Sequence, residues 1–135
     1  MPYKINERIT DTRIAVRGRN QEQLFTDAFL GMLYMMKPTQ KFGPEKAERE
    51  VSLESIDTSA LLADFLNEVS FLATANKEFY THILFYRIQP TSLRAKIFGV
   101  SVESFHRNIN SLSRDETEVK LTEDGAWEAV LILND

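Results

Sequence analysis

The sequence predicts an α+β fold in which two helices pack against a largely antiparallel β-sheet. Two stretches repeat apolar residues at helical spacing, at 20–36 and 58–76, and six shorter ones alternate or run apolar as strands do. The order strand, helix, strand, helix is followed by two hairpins in succession, and successive hairpins pair antiparallel.

The first strand lies within residues 9–18, "ITDTRIAVRG", where Ile14 and Val16 alternate with Arg13, Ala15 and Arg17. It carries Asp11, a residue type that strands disfavour. Asn20 followed by Gln23 resembles a capping box and opens a helix over 20–36, on which Leu24, Phe25, Ala28, Phe29, Met32, Leu33 and Met36 share helical spacing. Pro38 ends it. Gly31, at a propensity cost of about 1 kcal/mol, is expected to permit close approach to the sheet. Residues 37–49, with Pro38, Gly43 and Pro44, read as a mobile loop.

Residues 50–56 alternate Val51, Leu53 and Ile56 with polar partners as a short strand, after which Asp57 or Thr58 caps the second helix. Leu61, Leu62, Phe65, Leu66, Val69 and Leu72 give that helix a wide apolar stripe suited to lying flat on a sheet. From Phe79 the run Ile83, Leu84, Phe85, Tyr86 and Ile88 is apolar on both faces and predicts a central strand. Gln89–Ser92 turns it back into a second strand through Leu93, Ala95, Ile97 and Gly99. Asp124-Gly125 is a favoured tight-turn pair and separates strands at 117–121 and 127–133. The last of these, in "AWEAVLIL", is again apolar on both faces, so a central strand is expected to end near Asn134 and Asp135 at one edge of the sheet.

A chain of 135 residues with neither repeat nor linker is read as one domain, 1–135. It is 43% hydrophobic and 27% charged, and no apolar run approaches the roughly 18 residues that span a bilayer, so no membrane association is expected. The opening MPYKINERIT is polar and unlike a secretory signal, which gives a cytoplasmic expectation. With no cysteine there are no disulfides, no thiolate chemistry and no Cys-based zinc site, which leaves a metal only oxygen or imidazole ligands. A net charge of −4 argues against a broad electropositive surface for nucleic acid. Lys4, Arg8, Arg13, Arg17 and Arg19 read as the solvated face of a strand.

His82 and His106 are the only histidines, lie too far apart for a local ligand motif, and read as structural or surface residues. The sequence holds no G-x-S-x-G and no phosphate-binding glycine loop, so the expectation is a protein that is not itself an enzyme. The aromatics and Met35–Met36 are explained as core by their spacing. Carboxylates offer one further option. Asp11 near a strand and Asp135 at a chain end either hold a hard cation jointly through oxygen or are two solvated acids at element ends.

Four stretches together carry a resemblance: "ERITD" at 7–11, "GRNQEQLFTDAFLGMLYMM" from Gly18, "NSLSRD" from Asn110 and "DGAWEAVLILND" at the end. They resemble, over nearly the full chain, the archease family of accessory proteins. In that family a D-H-T-A-D motif leads into a strand, a helix opens on G-x-x-x-E-E-x-F, and K-A-x-T-Y-H precedes a final hairpin ending in aspartate. The resemblance implies a protein that promotes activation of a tRNA-splicing RNA ligase with nucleotide and metal. It places Asp11 on the family's metal-binding aspartate, with Asn134 and Asp135 as further oxygen donors and Asn110 where the family has lysine. Arg8 stands for the motif histidine and Asn134 for the terminal aspartate, so the implied calcium or magnesium site is short of one anionic ligand and holds its ion weakly or not at all. An alternative is a metal-independent binding module on the same scaffold, in which Arg8, Arg13 and Arg114 make the pocket basic for a protein or RNA partner. A third reading, a hydrolase, requires His82 or His106 within hydrogen-bond reach of Asp11.

Overall fold

The computed structural model describes residues 3–7, 12–39, 41–107, 109 and 112–133, with the side chains of 6–7 and 41–45 excepted. In chain order the elements are β1 (Tyr3–Glu7), β2 (Thr12–Gly18), α1 (Gln21–Met36), β3 (Lys41–Glu54), α2 (Thr58–Asn76), β4 (Glu78–Gln89), β5 (Ser92–Val102), β6 (Glu118–Leu121) and β7 (Trp127–Leu133). The strands form two sheets, ordered β1-β2-β7-β6 and β3-β5-β4, and every pairing is antiparallel. The helices lie between the sheets: α1 touches β1, β2 and β7 on one side and β4 on the other, while α2 touches β3, β4 and β6. None of the described helices is long and apolar enough to cross a membrane.

Both helices start where the sequence places their caps. Asn20 accepts from the Gln23 backbone N–H at 2.8 Å, and Asp57 accepts from that of Ala60 at 2.7 Å, each satisfying a donor that the first helical turn leaves unpaired. The expected capping box is offset by one residue, because the Gln23 side chain takes the Arg19 N–H rather than that of Asn20. Between the sheets the rings of Phe25 and Phe29 stack on Phe65 at 5.8 and 6.2 Å, and Phe85 reaches Phe65 from β4 at 6.1 Å. Gly31 does what its position predicted. A Cβ there would lie 3.2 Å from Tyr3 Cγ and 3.3 Å from Ile14 Cγ2, so α1 sits directly against the first sheet.

The strands depart from expectation in four places. The segment expected to be a loop, 37–49, is strand from Lys41 onward, because β3 runs on as the partner of β5; the register slips between Phe42 and Ala47, the stretch that holds Gly43 and Pro44. Ile56 lies beyond that strand and is 79% exposed. The polar opening of the chain hides β1, a five-residue edge strand with Tyr3 and Ile5 against the core. Finally, β4 is an edge strand and β5 is central, whereas β7 is central as expected. Residues Leu84 and Tyr86, which suggested a doubly covered strand, face outward.

A buried polar cluster ties the second sheet together at one end. Arg49 of β3 grips Glu78 of β4 with two N–H···O bonds of 2.9 Å, and the Tyr80 hydroxyl donates to the same carboxylate at 2.7 Å. Burial would push the Glu78 carboxyl up, but the Arg49 and Tyr80 bonds outweigh it and hold it below its ordinary value. Burial and the carboxylate together hold the Tyr80 phenol well above its own. Gly99 of β5 makes room for this geometry: a Cβ there would lie 2.1 Å from the Phe79 carbonyl oxygen and 2.7 Å from Tyr80 Cα.

Two outcomes follow. Gly99→Ala must push β4 off β5 and should cost about 1–3 kcal/mol or more in a urea melt; an unchanged midpoint would show that the strands yield freely. Glu78 has a depressed folded value, so its contribution is present above the ordinary carboxylate range and lost as pH falls through that value. Wild-type stability should therefore fall more steeply between about pH 5 and 3 than that of Glu78→Gln, and parallel curves would refute the assignment.

Candidate functional site

The end of the first sheet where β2 begins and β7 stops is built around a buried hydroxyl. Thr12, 1% exposed, is the register partner of Leu133 across β2 and β7. Its Oγ1 accepts a hydrogen bond of 2.9 Å from Arg107 Nη2. A threonine can open a buried strand here because the guanidinium satisfies an oxygen that water cannot reach.

Arg107 is delivered by a strap of chain that crosses the C-terminal end of α1. There the last helical carbonyls lack intrahelical donors. Arg107 N–H donates to Met36 O at 3.2 Å and His106 N–H to Lys37 O at 2.9 Å, while Phe105 forms a β-bridge with Pro38 and Thr39 N–H donates to Ser104 O at 2.8 Å. Farther along, Asn67 of α2 acts as a one-residue strand: its amide donates to Leu112 O at 3.0 Å and its carbonyl accepts from Leu112 N–H at 2.7 Å. Arg114 then closes on Asp64 with bonds of 2.9 and 2.6 Å, and Ser55 donates to the same carboxylate. The Arg114 guanidinium holds the Asp64 carboxyl below its ordinary value.

The residues implicated from the sequence, Asp11, Asn110, Asn134 and Asp135, lie outside the described residues, as does Arg8. Thr12 and Leu133, the sequence neighbours of Asp11 and Asn134, are described and paired. Among the described residues no group of three or more His, Asp or Glu is arranged to hold a metal ion.

The expected basic pocket is not assembled by the arginines that are described. Arg114 is spent on Asp64, and Arg13 faces an open groove of about 330 Å³ on the outer side of the first sheet, shared with Glu116, Glu118, Glu128 and Lys120. His82 is exposed on β4 beside the Thr81 hydroxyl at 2.9 Å, and His106 is exposed on the strap. Their reach to Asp11, which the hydrolase reading requires, falls outside the described residues. Arg107 and Asn67 went unread in the sequence because side-chain bonds to a non-repetitive segment leave no periodic signal.

Residues 3–134 match the model of the Archease protein family (MTH1598/TM1083). The chain is 25% identical over 145 residues to protein archease of Methanosarcina mazei, covering 98% of this chain and 94% of the relative, and 24% identical over 140 residues to that of Methanosarcina barkeri with the same coverages. Its fold is similar to the crystal structure of an archease, described as a possible chaperone, from Thermotoga maritima (TM-score 0.67, 16% identity, 98% and 96% of the two chains). It is likewise similar to the solution structure of Methanobacterium thermoautotrophicum protein 1598 (TM-score 0.70, 21% identity, 99% of each chain). With two helices held by two antiparallel sheets and a family match over nearly its whole length, this chain belongs to the archease family.

Proposed function

We propose that this protein is a cytoplasmic accessory factor that promotes activation or turnover of a tRNA-splicing RNA ligase and performs no bond chemistry itself. Family membership from residue 3 to residue 134 is the observation that carries the reading. In this reading Asp11 is the principal ligand of a calcium or magnesium ion, Asn134 and Asp135 are neutral and anionic oxygen donors, and Asn110 occupies the place of the motif lysine. The pairing of Thr12 with Leu133 supports it, since the sequence neighbours of two proposed ligands belong to adjacent strands.

One observation favours a second reading, a metal-independent module whose partner, protein or RNA, is anionic where it binds. Arg107 sets a permanent positive charge on Thr12, next in sequence to Asp11. A guanidinium is a group that pairs acidic side chains and phosphate.

A thermal melt with and without millimolar Ca²⁺ or Mg²⁺ separates the two. If the ion binds the folded chain at about ten times its Kd, Tm should rise by about 3–5 °C, and Asp11→Ala should abolish the rise. Absence of a shift in wild type, together with its appearance in Arg107→Met, would favour the module and identify the guanidinium as the competing charge. The ligase role is checked by multiple-turnover joining of RNA ends bearing a 2′,3′-cyclic phosphate. Wild-type protein should raise turnover of the ligase and Asp11→Ala should not; equal turnover with and without the protein sinks the activator reading.

A further inference from the structure

Helix α1 carries two charged residues, and one of them is buried. Glu22 lies in solvent, whereas Asp27 is 7% exposed and its Oδ2 has no hydrogen-bond partner. Burial acts on this carboxyl and pushes it above its ordinary value. Glu78 is as deeply buried, but it is held by Arg49 and Tyr80. Among the described residues no ion pair includes Asp27.

What covers Asp27 follows from helix geometry. Leu30 and Tyr34, three and seven residues on, are half-buried and exposed, so Asp27 borders the solvent stripe of the helix. Gly31, one turn on, packs beneath Tyr3 of β1, whose Cγ would lie 3.2 Å from a Cβ there. The Tyr3 phenol is itself pushed up by burial and by the negative charges of Tyr34 and Asp27. The Tyr3 ring therefore roofs Asp27 as well as Gly31.

The other elements packed on α1 bring Asp27 no cation. Lys4 alternates outward from Tyr3 and Ile5, and Arg13, Arg17 and Glu128 lie on the outer side of the first sheet, opposite Ile14, Val16 and Leu131. On β4, Glu78 and Tyr80 are engaged with Arg49, and His82 and Arg87 are exposed. Helix α2 turns Phe65 to α1 and keeps Asp64 and Glu68 on another face, where Arg114 meets Asp64. His106 and Arg107 cross the far end of the helix.

We propose that β1 is a releasable strap: the ionised Asp27 carboxylate beneath it opposes closure, and a proton on Asp27 fastens the strand to β2 and α1. The strand is suited to this, being five residues long, paired with β2 alone, and anchored by the partly buried Tyr3 and Ile5. Its opening admits water to the carboxylate and leaves the β2 edge unpaired.

The inference goes beyond the proposed function and rests on none of the residues invoked there. Because the closed value is raised, closure is firmest below the ordinary carboxylate range. It weakens as pH rises from there through the raised value and is level above it. Amide hydrogen exchange of the full chain, followed by NMR and corrected for the intrinsic rate at each pH, reads the opening. At about pH 7 the β1 amides should exchange faster than those of β5 and β7. They should slow at least about fivefold in Asp27→Asn, which keeps the shape and removes the charge. The gap between the two proteins should narrow as pH falls toward about 4, where the wild type gains its own proton. Glu78 titrates in the same range but is present in both proteins, so its effect cancels. Three results overturn the proposal. The β1 amides could be as protected as those of β7, which means that the strand does not open alone; they could be unchanged by Asp27→Asn at neutral pH; or the gap could persist undiminished in acid, which makes the effect one of packing and not of charge.

Discussion

Helix α1 keeps only a narrow solvent face, the stripe Glu22, Thr26, Leu30 and Tyr34, and the architecture follows from that. Eleven of its sixteen residues are buried, among them Phe25, Phe29, Met32, Met35 and Met36. A helix apolar nearly all round cannot rest on one sheet and leave its far side to water, because each large side chain left exposed forfeits about 1.5–3 kcal/mol of burial. The chain answers with a second sheet. Phe65 of α2 and Phe85 of β4 close over Phe25 and Phe29 from that side, while Ile14, Val16, Leu131 and Leu133 support α1 from the first. Gly31 then sets how near α1 comes to β1 and β2, as Gly99 sets how near β5 comes to β4.

With both sheets committed to apolar packing, the polar groups trapped at their margins must be paired one by one. Thr12 takes Arg107, Leu112 takes both ends of the Asn67 amide, Glu78 takes Arg49 and Tyr80, and Gln21 donates to the Gln89 carbonyl at 2.7 Å. Apart from the Glu78–Tyr80 bond within β4, each pair joins elements distant in sequence, so each fixes relative placement in a way that interchangeable hydrophobic contacts do not. Asp27 of α1 is an exception among the described residues. It is 7% exposed, its Oδ2 has no hydrogen-bond partner, and burial pushes its carboxyl above the ordinary value. Ionised Asp27 therefore weakens the fold as pH rises through its folded value, the opposite sign to Glu78.

The sequence made legible whatever repeats. The caps at Asn20 and Asp57, the apolar spacing of both helices, the Asp124-Gly125 turn and the central position of β7 are all written in local patterns. What depends on the far side of the molecule was misread. The run Ile83–Tyr86 looks covered on both faces, yet the strand that would cover one flank of it is absent from the described chain. Pro44 looks like a breaker, yet β3 continues past it because an edge strand with a register slip tolerates the missing donor. The strap over α1 was invisible because it is held by backbone bonds between non-repetitive segments, and Arg107 emerged only with it. Of the site residues, Asp11 and Asp135 are legible as two acids at element ends, whereas Asn110 and Asn134 were named only through resemblance to a family.

That family likeness gives the departures their electrostatic meaning. Arg8 for a neutral histidine and Asn134 for an aspartate each add one positive charge to the motif, and Asn110 for a lysine removes one, so the set is more positive by one charge. Arg107, which donates to Thr12, stands next in space to the sequence neighbour of Asp11. Divalent affinity in oxygen sites falls with each anionic ligand lost, whereas a guanidinium keeps its value for an acidic contact. In the proposed reading, then, the scaffold retains the family's strands while the balance of binding at this end moves away from the ion and toward the partner. The protein's affinity for that partner would depend less on divalent cation than the family motif alone implies.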